Sequence, residues 1–471
     1  MHQSVSFNFH NFLIQTKIMG TKHYDVFVIG SGIAGQTAAK TCKQAGLTVA
    51  ISDKREFGGT CATRGCDPKK VLIQFADLMQ NTKQLEGLGI KQPPKIKWKA
   101  VQKFKKSFTK SIPLDTEKNL NDLGIDLYHQ SPQFISKNEI LVEGKTVTAD
   151  KFIIATGYIP RTLEFEGAEL LKTSDAILKL KKIPKSAIFI GSGYVGMEFC
   201  YMLSTMGCKV TMVEVSDKAL NQFDSFLVEK LTKVLEKNGV NFMFNTKPIE
   251  IEKLKKNLKL TYEKDGKTKS IKARKIFNTA GRVPAIEKLD IENANIKADE
   301  TGVLVNDFMQ STSNENVYAC GDVSSKSLPL TPLSGIQGYI AGHNIVNGNK
   351  KEFENPLVPS VVFTQPQLAS VGYSEEEAKS RYKNVQVYKG DTSDWYNAKK
   401  ENAEAYAYKI IVNERTDKIV GAHLLSSQAN ETINIFTMAI NEGLTTNEFK
   451  KQIFTYPSYT NDLKSMLKDE D

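Results

Sequence analysis

Two cysteines, Cys61 and Cys66, lie in the run GGTCATRGCDPKK and are the residues of this chain best suited to redox chemistry. Such a pair can store two electrons as a disulfide. A five-residue step along a regular helix rises about 7.5 Å, which exceeds the roughly 5.5–6 Å between the Cα atoms of bridged cysteines. A bridge therefore requires an irregular turn, for which Gly65 supplies the backbone freedom. The alternative is two unpaired thiols in a core.

A helix is predicted directly after this turn, with Asp67 as N-cap and Pro68 as first helical residue. Cys66 would then lie at the helix N-terminus, where the helix dipole and the neighbouring Lys69 and Lys70 favour a thiolate. Cys61 would be the freer thiol. An apolar stripe supports the helix: Val71, Leu72, Phe75 and Leu78 or Met79.

A glycine-rich dinucleotide fingerprint occurs twice, each time after an apolar stretch that predicts a strand. In both copies an acidic residue that ends a second strand follows the first glycine by 23 residues. The glycines let the backbone approach a pyrophosphate at a helix N-terminus, and the acid can bind ribose hydroxyls. Two dinucleotides are therefore expected. The residues are Gly30, Gly32, Gly35 and Asp53 in the first copy and Gly191, Gly193, Gly196 and Glu214 in the second.

The acid of the second copy favours NADH over NADPH. Glu214 would accept a hydrogen bond from a ribose 2′-hydroxyl and repel a 2′-phosphate, and Gly196 as third glycine is the NAD-like choice. The alternative is that Glu214 points into solvent and that Lys218 permits NADPH.

Together these motifs resemble the flavoprotein disulfide reductases of the glutathione reductase, lipoamide dehydrogenase and mercuric reductase group. The similarity extends from about Tyr24 to the C-terminus. Besides the cysteine run and both fingerprints, it includes IIATGYIP (Ile153 to Pro160), TAGRVP (Thr279 to Pro284), YACGDV (Tyr318 to Val323) and LTP (Leu330 to Pro332).

The resemblance implies FAD on the first fingerprint and NAD(P)H on the second. It also implies that Cys66 faces the flavin, that Cys61 exchanges with substrate, and that Lys69 or Lys70 pairs with Glu198. Asp322 would contact the ribityl–phosphate region of FAD. The motifs add further cofactor-binding candidates: Gly58, Gly59, Thr60, Thr156, Gly157, Gly281, Arg282 and Gly321.

The C-terminal motif departs from the family pattern. Disulfide reductases of the family usually carry HPTxxE, whereas this chain has Tyr456 in place of the histidine and Asn461 in place of the glutamate, with Asp462 one position late. Histidine titrates near 6.5 and exchanges protons at neutral pH, whereas tyrosine, near 10, is a poor base. Tyr456 is a candidate hydrogen-bond donor to a leaving thiolate. A positioned acid–base contributes about 10²–10⁴-fold in rate, so this substitution puts full disulfide reductase chemistry in question.

Composition predicts a globular protein of several domains. The chain has 471 residues and 40% hydrophobic content, without a long apolar run that predicts a membrane span. Six cysteines, two of them in a redox motif, favour a reducing cytosol. The other four are expected to be inert: Cys42, Cys200, Cys208 and Cys320.

The motifs predict an α/β fold with two Rossmann-like, doubly wound dinucleotide-binding domains and a C-terminal α+β dimerisation domain. The first FAD segment is 22–153, the NAD(P) domain 154–278, the second FAD segment 279–347 and the dimerisation domain 348–471. Residues 1–21 are expected to be a disordered tail or a mis-assigned start, in which case translation begins at Met19. The resemblance implies a homodimer in which Tyr456 faces the other subunit's Cys61.

A lysine-rich segment accounts for part of the net charge of +10. Five lysines fall on one face of a predicted helix, with Val101, Phe104 and Phe108 on another. They predict either a cationic rim that attracts an anionic substrate or a solvated helix face. No aromatic platform or fold signal suggests nucleic-acid binding, and no metal site is predicted. The five are Lys95, Lys99, Lys103, Lys106 and Lys110.

The leading functional hypothesis is a reductase that passes electrons from NADH through FAD and the Cys61–Cys66 pair to a low-molecular-weight disulfide such as glutathione disulfide. Because Tyr456 replaces histidine, a metal ion, quinone or dioxygen is an alternative acceptor on the same scaffold. A slow-turnover redox sensor is the alternative of another class. Mercuric reductases and large thioredoxin reductases proper carry a C-terminal cysteine pair, whereas the last cysteine here is Cys320.

Overall fold

The computed structural model describes residues 21–468. The prediction about the start of the chain therefore lies outside the described residues. Within the described range, no helix is both long and apolar enough to cross a membrane.

The first part of the chain builds a mixed sheet around the first fingerprint, in which β1, β2, β3 and β6 are parallel and β4 and β5 are joined antiparallel at one edge. Its central strands are buried on both faces, as expected for a parallel sheet covered by helices. The elements are β1 (Lys22–Ile29), α1 (Ile33–Gln44), β2 (Val49–Ser52), α2 (Gly59–Arg64), α3 (Cys66–Gln84), α4 (Trp98–Thr109), α5 (Ile112–Asp122), β3 (Asp126–Tyr128), β4 (Gln133–Ser136), β5 (Glu139–Val142), β6 (Lys145–Ile154) and β7 (Tyr158–Pro160).

A second parallel sheet surrounds the second fingerprint. It has the order β10-β9-β8-β14, and β11, β12 and β13 form a separate antiparallel sheet. The elements are α6 (Ser174–Leu178), β8 (Ser186–Ile190), α7 (Tyr194–Thr205), β9 (Lys209–Val213), α8 (Ser225–Lys237), β10 (Val240–Met243), β11 (Lys247–Lys253), β12 (Leu258–Lys264), β13 (Lys267–Ala273), β14 (Lys275–Asn278) and β15 (Arg282–Pro284).

The chain then returns to the first sheet through β16 (Ala298–Asp299), β17 (Gly302–Val303), β18 (Val317–Ala319) and α9 (Thr331–Asn347). β18 pairs with β6, which completes a seven-stranded sheet whose main path is β3-β2-β1-β6-β5-β4. The segment that carries the second sheet leaves the first sheet through β7 and returns through β15. These two strands pair antiparallel, with Pro160 opposite Arg282.

The last part of the chain is an antiparallel five-stranded sheet with helices, in the order β19-β20-β23-β22-β21. The predicted α/β fold with a C-terminal α+β unit is therefore confirmed. The elements are β19 (Ser360–Val362), β20 (Gln367–Gly372), α10 (Glu375–Arg381), β21 (Val385–Asp391), α11 (Tyr396–Glu401), β22 (Ala407–Asn413), β23 (Lys418–Ser426), α12 (Ala429–Asn441), α13 (Thr446–Lys450) and α14 (Tyr459–Asp462).

Part of the lysine-rich segment forms α4, and the five predicted face lysines are exposed. The predicted helix face is shorter than expected, because Lys95 precedes the helix and Lys110 is its C-cap. The opposite face differs from the prediction. Val101 is buried, whereas Phe104 and Phe108 are about half exposed and pack edge-on against each other. Lys105, which the pattern did not single out, is buried and donates a hydrogen bond to the Leu178 carbonyl oxygen. This bond fixes α4 to α6.

Candidate active site

The turn that carries the two cysteines, residues 58–66, has glycines near both ends. Gly58 and Gly59 have φ of +108° and +73°, conformations that side chains with a Cβ rarely adopt. A Cβ on Gly65 would lie 2.7 Å from the Thr60 carbonyl oxygen. The turn therefore closes only with glycine at this position, which lets α2 end and α3 begin one residue apart.

The start of α3 differs from the predicted one. The helix begins at Cys66 with Gly65 as N-cap, so Asp67 lies in the first turn and is not the cap. The prediction was wrong because Gly65 turns the chain directly into the helix. The carboxylate of Asp67 still lies where the helix dipole favours a negative charge.

The two thiols differ in environment. Cys66 is exposed toward a cavity of about 490 Å³, whereas Cys61 is half-buried in α2 and accepts a hydrogen bond from the Thr331 hydroxyl, with Oγ1 and Sγ 3.0 Å apart. The expectation that Cys61 is the freer thiol is therefore wrong for the single chain. Both thiols line the cavity, but Cys66 is the more exposed of the two.

Hydrogen bonding and charge make Cys66 the thiolate of the pair. A hydrogen bond from Cys61 and then the positive charges of Lys69 and Lys70 lower the pKa of Cys66 to about 6, against the effect of burial. The same hydrogen bond, with burial, raises the pKa of Cys61 far above its ordinary value. At neutral pH Cys66 is ionised and Cys61 keeps its proton.

A buried carboxylate holds the two lysines. Glu198 is 1% exposed, and its Oε2 lies 2.6 Å from Lys69 Nζ and 2.9 Å from Lys70 Nζ. Its Oε1 accepts a hydrogen bond from the Phe363 amide. Both lysines therefore contact Glu198, and Lys69 is the one that lines the cavity.

The charges of Glu198, Lys69 and Lys70 shift the pKa values of one another. Burial alone would raise the pKa of Glu198, but the two lysines hold it below its ordinary value. Burial lowers the pKa of Lys70 to about 8, whereas Glu198 outweighs burial at Lys69 and raises its pKa. Two cations and one carboxylate leave one positive charge, which the Cys66 thiolate neutralises. The cluster is thus balanced in the reduced, ionised state.

The titration of Cys66 tests this arrangement. Because the pKa of Cys66 is lowered to about 6, the thiolate is expected above pH 6 and is lost as the pH falls through that value. Thiolate absorbance at 240 nm of the reduced protein should show this inflection. Lys70→Met should move it upward, because one of the stabilising cations is removed, and Cys66→Ser should eliminate it. An inflection near 8.5, the ordinary value for cysteine, would contradict the electrostatic account.

The cavity collects most of the predicted residues of the first nucleotide site. Gly35 and Gly58 do not line it, since each packs against a neighbouring element: a Cβ on Gly35 would lie 1.9 Å from the Gly30 carbonyl oxygen and one on Gly58 2.7 Å from Ile112 Cγ2. The lining residues include Gly30, Gly32, Asp53, Gly59, Thr60, Cys61, Cys66, Lys69, Thr156, Gly157, Tyr194, Arg282, Gly321 and Asp322.

The cavity fits FAD. Ser52 Oγ and Thr156 Oγ1 are buried without a hydrogen-bond partner among the described residues, and both residues line the cavity. A Cβ on Gly32 would meet nothing within 4 Å, so open space lies above the N-terminus of α1, where a pyrophosphate binds. These unused polar atoms and this bare helix end are the groups that a dinucleotide would satisfy.

The second fingerprint repeats this geometry. Gly191 has φ of +99°, Gly193 faces open space, and a Cβ on Gly196 would lie 2.3 Å from the Gly191 carbonyl oxygen. Thr279, which was predicted only as part of a motif, donates hydrogen bonds to the Ile190 and Gly191 carbonyl oxygens. The helix that starts here, α7, also carries Tyr194, which lines the first cavity. The two nucleotide sites therefore share α7. Gly281, by contrast, does not line the cavity.

Sequence reasoning missed a serine in each fingerprint. Asp53 accepts hydrogen bonds from the amide and hydroxyl of Ser31, and Glu214 accepts the same pair from Ser192. Each serine thus fixes the acid at the end of its strand. The signal was present, because both fingerprints read GSG.

The C-terminal motif does not reach this site within one chain. Tyr456 is 75% exposed and does not line the cavity, which is also free of the four histidines in residues 21–468. Asp462 does not orient Tyr456, because its carboxylate is bonded elsewhere. Its Oδ2 accepts hydrogen bonds from Asn397 and Tyr406, at 2.9 and 3.2 Å.

Comparison with known proteins identifies the family. Residues 24–338 match the description pyridine nucleotide-disulphide oxidoreductase, and residues 358–467 match the dimerisation domain of the same group. The chain therefore belongs to the pyridine nucleotide-disulphide oxidoreductase family, as its motifs predicted. It is an NAD(P)H-dependent flavoprotein oxidoreductase, and the family cofactors are FAD and a pyridine nucleotide.

Individual relatives span several activities. The chain is 30% identical over 436 residues to a glutathione reductase of Burkholderia cepacia, covering 92% of this chain and 96% of the relative. It is 32% identical over 447 residues to a dihydrolipoyl dehydrogenase of Thermus scotoductus, covering 94% and 96%. A solved structure of a mutant of the HOCl-induced flavoprotein disulfide reductase RclA from Escherichia coli, as a Cu(II) complex, superposes with a TM-score of 0.84 at 27% identity, covering 95% of this chain and 99% of that one.

Proposed function

We propose that this protein uses NADH and FAD to reduce a low-molecular-weight disulfide through Cys61 and Cys66. One observation carries the proposal. A hydrogen-bonded thiol pair with one ionised sulfur opens into the same cavity as the first dinucleotide fingerprint. A merely structural cysteine pair would have no need of the buried Lys69–Glu198 ion pair beside it.

The bound cofactors would supply the two electrons that open the Cys61–Cys66 bond. Gly32, Thr156 and Asp322, which all line the cavity, would hold FAD. Glu214 would bind the adenosine ribose of NADH at the second fingerprint. Lys69 would stand beside the flavin, since it lines the cavity.

The thiol pair can itself carry out the proton transfer that the histidine of the family motif would perform. The Cys66 thiolate accepts the hydrogen bond of the Cys61 thiol and is therefore the base within reach of that proton. Cys61 then attacks the disulfide RSSR, forms a mixed disulfide and releases RS⁻, which takes the proton now on Cys66. Cys66 attacks Cys61 Sγ, restores the internal disulfide and releases the second RS⁻.

The C-terminal unit supports a homodimer. In the proposed arrangement Tyr456 of one subunit faces the partner's active site and donates a hydrogen bond to the leaving thiolate. The exposure of Tyr456 and of the nearby Ile453 in the single chain supports this role, because both side chains are left without cover.

A preference for NADH is expected. Glu214 already holds Ser192 and the Ser216 amide, which fixes its carboxylate where a 2′-phosphate would add a second negative charge. Steady-state kcat/KM for NADH should exceed that for NADPH by about tenfold or more, the size of a 1.4 kcal/mol discrimination. Equal values, or a preference for NADPH, would contradict the assignment.

The two half-reactions test the function. In stopped-flow measurements NADH should bleach the flavin of Cys61→Ser at the wild-type rate, whereas the subsequent reduction of a disulfide such as glutathione disulfide should be lost. Tyr456→Phe should slow only the second half-reaction. Disulfide reduction that persists in Cys61→Ser would contradict the proposed role of Cys61 in this activity.

Reduction of a metal ion is a second candidate. The relative in the Cu(II) complex is similar over nearly the whole chain, and thiolates such as Cys66 are soft metal ligands. Within residues 21–468, however, no group of three or more His, Cys, Asp or Glu residues could hold a metal ion. Cu(II)-dependent NADH consumption faster than with any disulfide would favour this candidate.

A further inference from the structure

We propose that Thr331 is a catalytic residue whose hydroxyl, at the start of α9, stabilises the Cys61 thiolate during its attack on the substrate disulfide. The inference rests on the proposed function, in which Cys61 is the exchanging thiol. It adds to that function a hydrogen-bond donor on the attacking sulfur. Among the residues that line the cavity within 21–468 there is no histidine, so the hydroxyl of Thr331 is the donor that this site offers to Cys61.

Thr331 contacts the sulfur that reacts. Its Oγ1 lies 3.0 Å from Cys61 Sγ, and the hydroxyl is the donor of this hydrogen bond. The thiol hydrogen of Cys61 is used in the bond to Cys66. Cys61 Sγ therefore donates to Cys66 on one side and accepts from Thr331 on the other. The bond joins the sulfur of the proposed nucleophile directly to a hydroxyl.

The bond from Thr331 favours the ionised form of Cys61. The bond to Cys66 and burial raise the pKa of Cys61, whereas the bond from Thr331 lowers it. While Cys66 is the thiolate, the two raising effects keep the proton on Cys61. Once the proton has moved to Cys66, the acceptor of the Thr331 hydroxyl carries a charge, and such a hydrogen bond is about twice as strong as one between neutral groups. Thr331 therefore stabilises Cys61 most when Cys61 is ready to attack.

The fold fixes the position of this hydroxyl. Thr331 is the first residue of α9, and the helix packs closely against α1, because a Cβ on Gly338 would lie 2.2 Å from the Ala34 carbonyl oxygen. α9 has no Asp, Glu, Lys or Arg in its 17 residues, so no charged side chain of its own opposes the positive end of its dipole. The hydroxyl and the helix dipole thus favour a negative charge on the same sulfur.

The attack on the substrate needs this stabilisation. Cys61 gives its proton to Cys66 and attacks one sulfur of RSSR, so that a Cys61–S bond forms, the substrate S–S bond breaks, and RS⁻ leaves and takes the proton from Cys66. Cys66, again a thiolate, attacks Cys61 Sγ, closes the internal disulfide and expels the second RS⁻. Two electrons pass from the dithiol to the acceptor. Removal of the Thr331 hydroxyl raises the free energy of the Cys61 thiolate and therefore slows the first attack.

A titration of Cys61 alone is the first test. In the FAD-loaded protein with Cys66→Ser, the rate of alkylation by iodoacetamide against pH gives the pKa of Cys61, read by mass spectrometry of the tryptic peptide 56–64, whose one cysteine is Cys61. Adding Thr331→Val, which keeps the shape and removes the hydroxyl, should move the inflection upward by about one to two pH units, the size of a hydrogen bond to a charged group. Adding Thr331→Ser should leave it within about half a unit.

Disulfide reduction by the holoenzyme is the second test. Thr331→Val should lower kcat with glutathione disulfide about ten- to hundredfold and leave KM within about twofold, because the hydroxyl acts on the attacking sulfur. Thr331→Ser should retain most of the rate. Thr437→Val removes a half-buried hydroxyl that donates to the Ile433 carbonyl oxygen within α12, and it should change neither constant. Flavin absorbance and circular dichroism confirm that each variant is loaded and folded.

The outcomes distinguish the inference from the function beneath it. An unchanged kcat in Thr331→Val, whatever its inflection, overturns the catalytic role of Thr331 and leaves the proposed function standing. Equal losses in Thr331→Ser and Thr331→Val also overturn it, because the hydroxyl would then not be the group that matters. If NADH reduces the flavin of the wild type but no disulfide is reduced, the proposed function itself fails, and the alkylation titration still decides whether Thr331 stabilises the Cys61 thiolate.

Discussion

Cys66→Ser is expected to abolish the long-wavelength absorption of the two-electron-reduced enzyme and to lower disulfide reduction by roughly a thousandfold or more, as when a member of a nucleophilic unit is removed. The reason is that Cys66 is the ionised sulfur of the pair and opens into the flavin cavity. Without it, neither the internal disulfide nor the thiolate can form. Anaerobic titration with NADH followed by absorbance measures the first effect, and NADH consumption with a disulfide measures the second.

Cys61→Ser is the matched control for this prediction. It removes the same bond but leaves the Cys66 thiolate beside Lys69 and Lys70. The long-wavelength absorption should therefore be present even before NADH is added, while disulfide reduction is lost as in Cys66→Ser. If Cys66→Ser keeps the absorption and Cys61→Ser loses it, the assignment of the thiolate is reversed.

Glu198→Gln is expected to destabilise the protein by about 3–5 kcal/mol, because it leaves buried cations without their carboxylate. Glu198 is the only acidic group whose oxygens lie within ion-pair distance of Lys69 or Lys70 among the described residues. Urea unfolding of the FAD-loaded protein, followed by circular dichroism, measures the loss. The midpoint should fall at an unchanged slope.

Two further variants make this prediction specific. Glu229→Gln breaks an exposed ion pair with Lys233 and should leave the midpoint unchanged. Adding Lys70→Met to Glu198→Gln should recover part of the loss, since one uncompensated cation is removed. A single variant as stable as the wild type would show that the cluster does not hold α3 to α7.

Much of the site could be predicted because its parts are local in sequence. The glycines, the acids at 53 and 214 and the two cysteines each belong to a short motif whose geometry follows from backbone sterics and helix dipoles. Long-range contacts were beyond such reasoning. Neither the hydrogen bond from Thr331 to Cys61 nor the exposure of Phe104 and Phe108 has a local signal.

The choice between Lys69 and Lys70 shows the same limit of prediction from local sequence. Adjacent residues on a helix point about 100° apart, so local pattern alone could not decide which one meets Glu198. In the fold both reach it, because α7 crosses α3 at this point and Glu198 is buried between them. The start of α3 was misplaced for a different reason. An aspartate before a proline is a common N-cap signal, but Gly65 is the N-cap here, and the helix begins two residues earlier than predicted.

The pairing of β7 with β15 has a consequence for how the chain can be rebuilt. Because Pro160 lies opposite Arg282, the two ends of the intervening segment are one strand spacing apart, about 4.8 Å. Residues 161–281 thus form a cassette with adjoining ends. A homologous cassette that keeps an acid at the position of Glu198 can therefore be grafted at these two junctions without lengthening any connection in the remaining sheet.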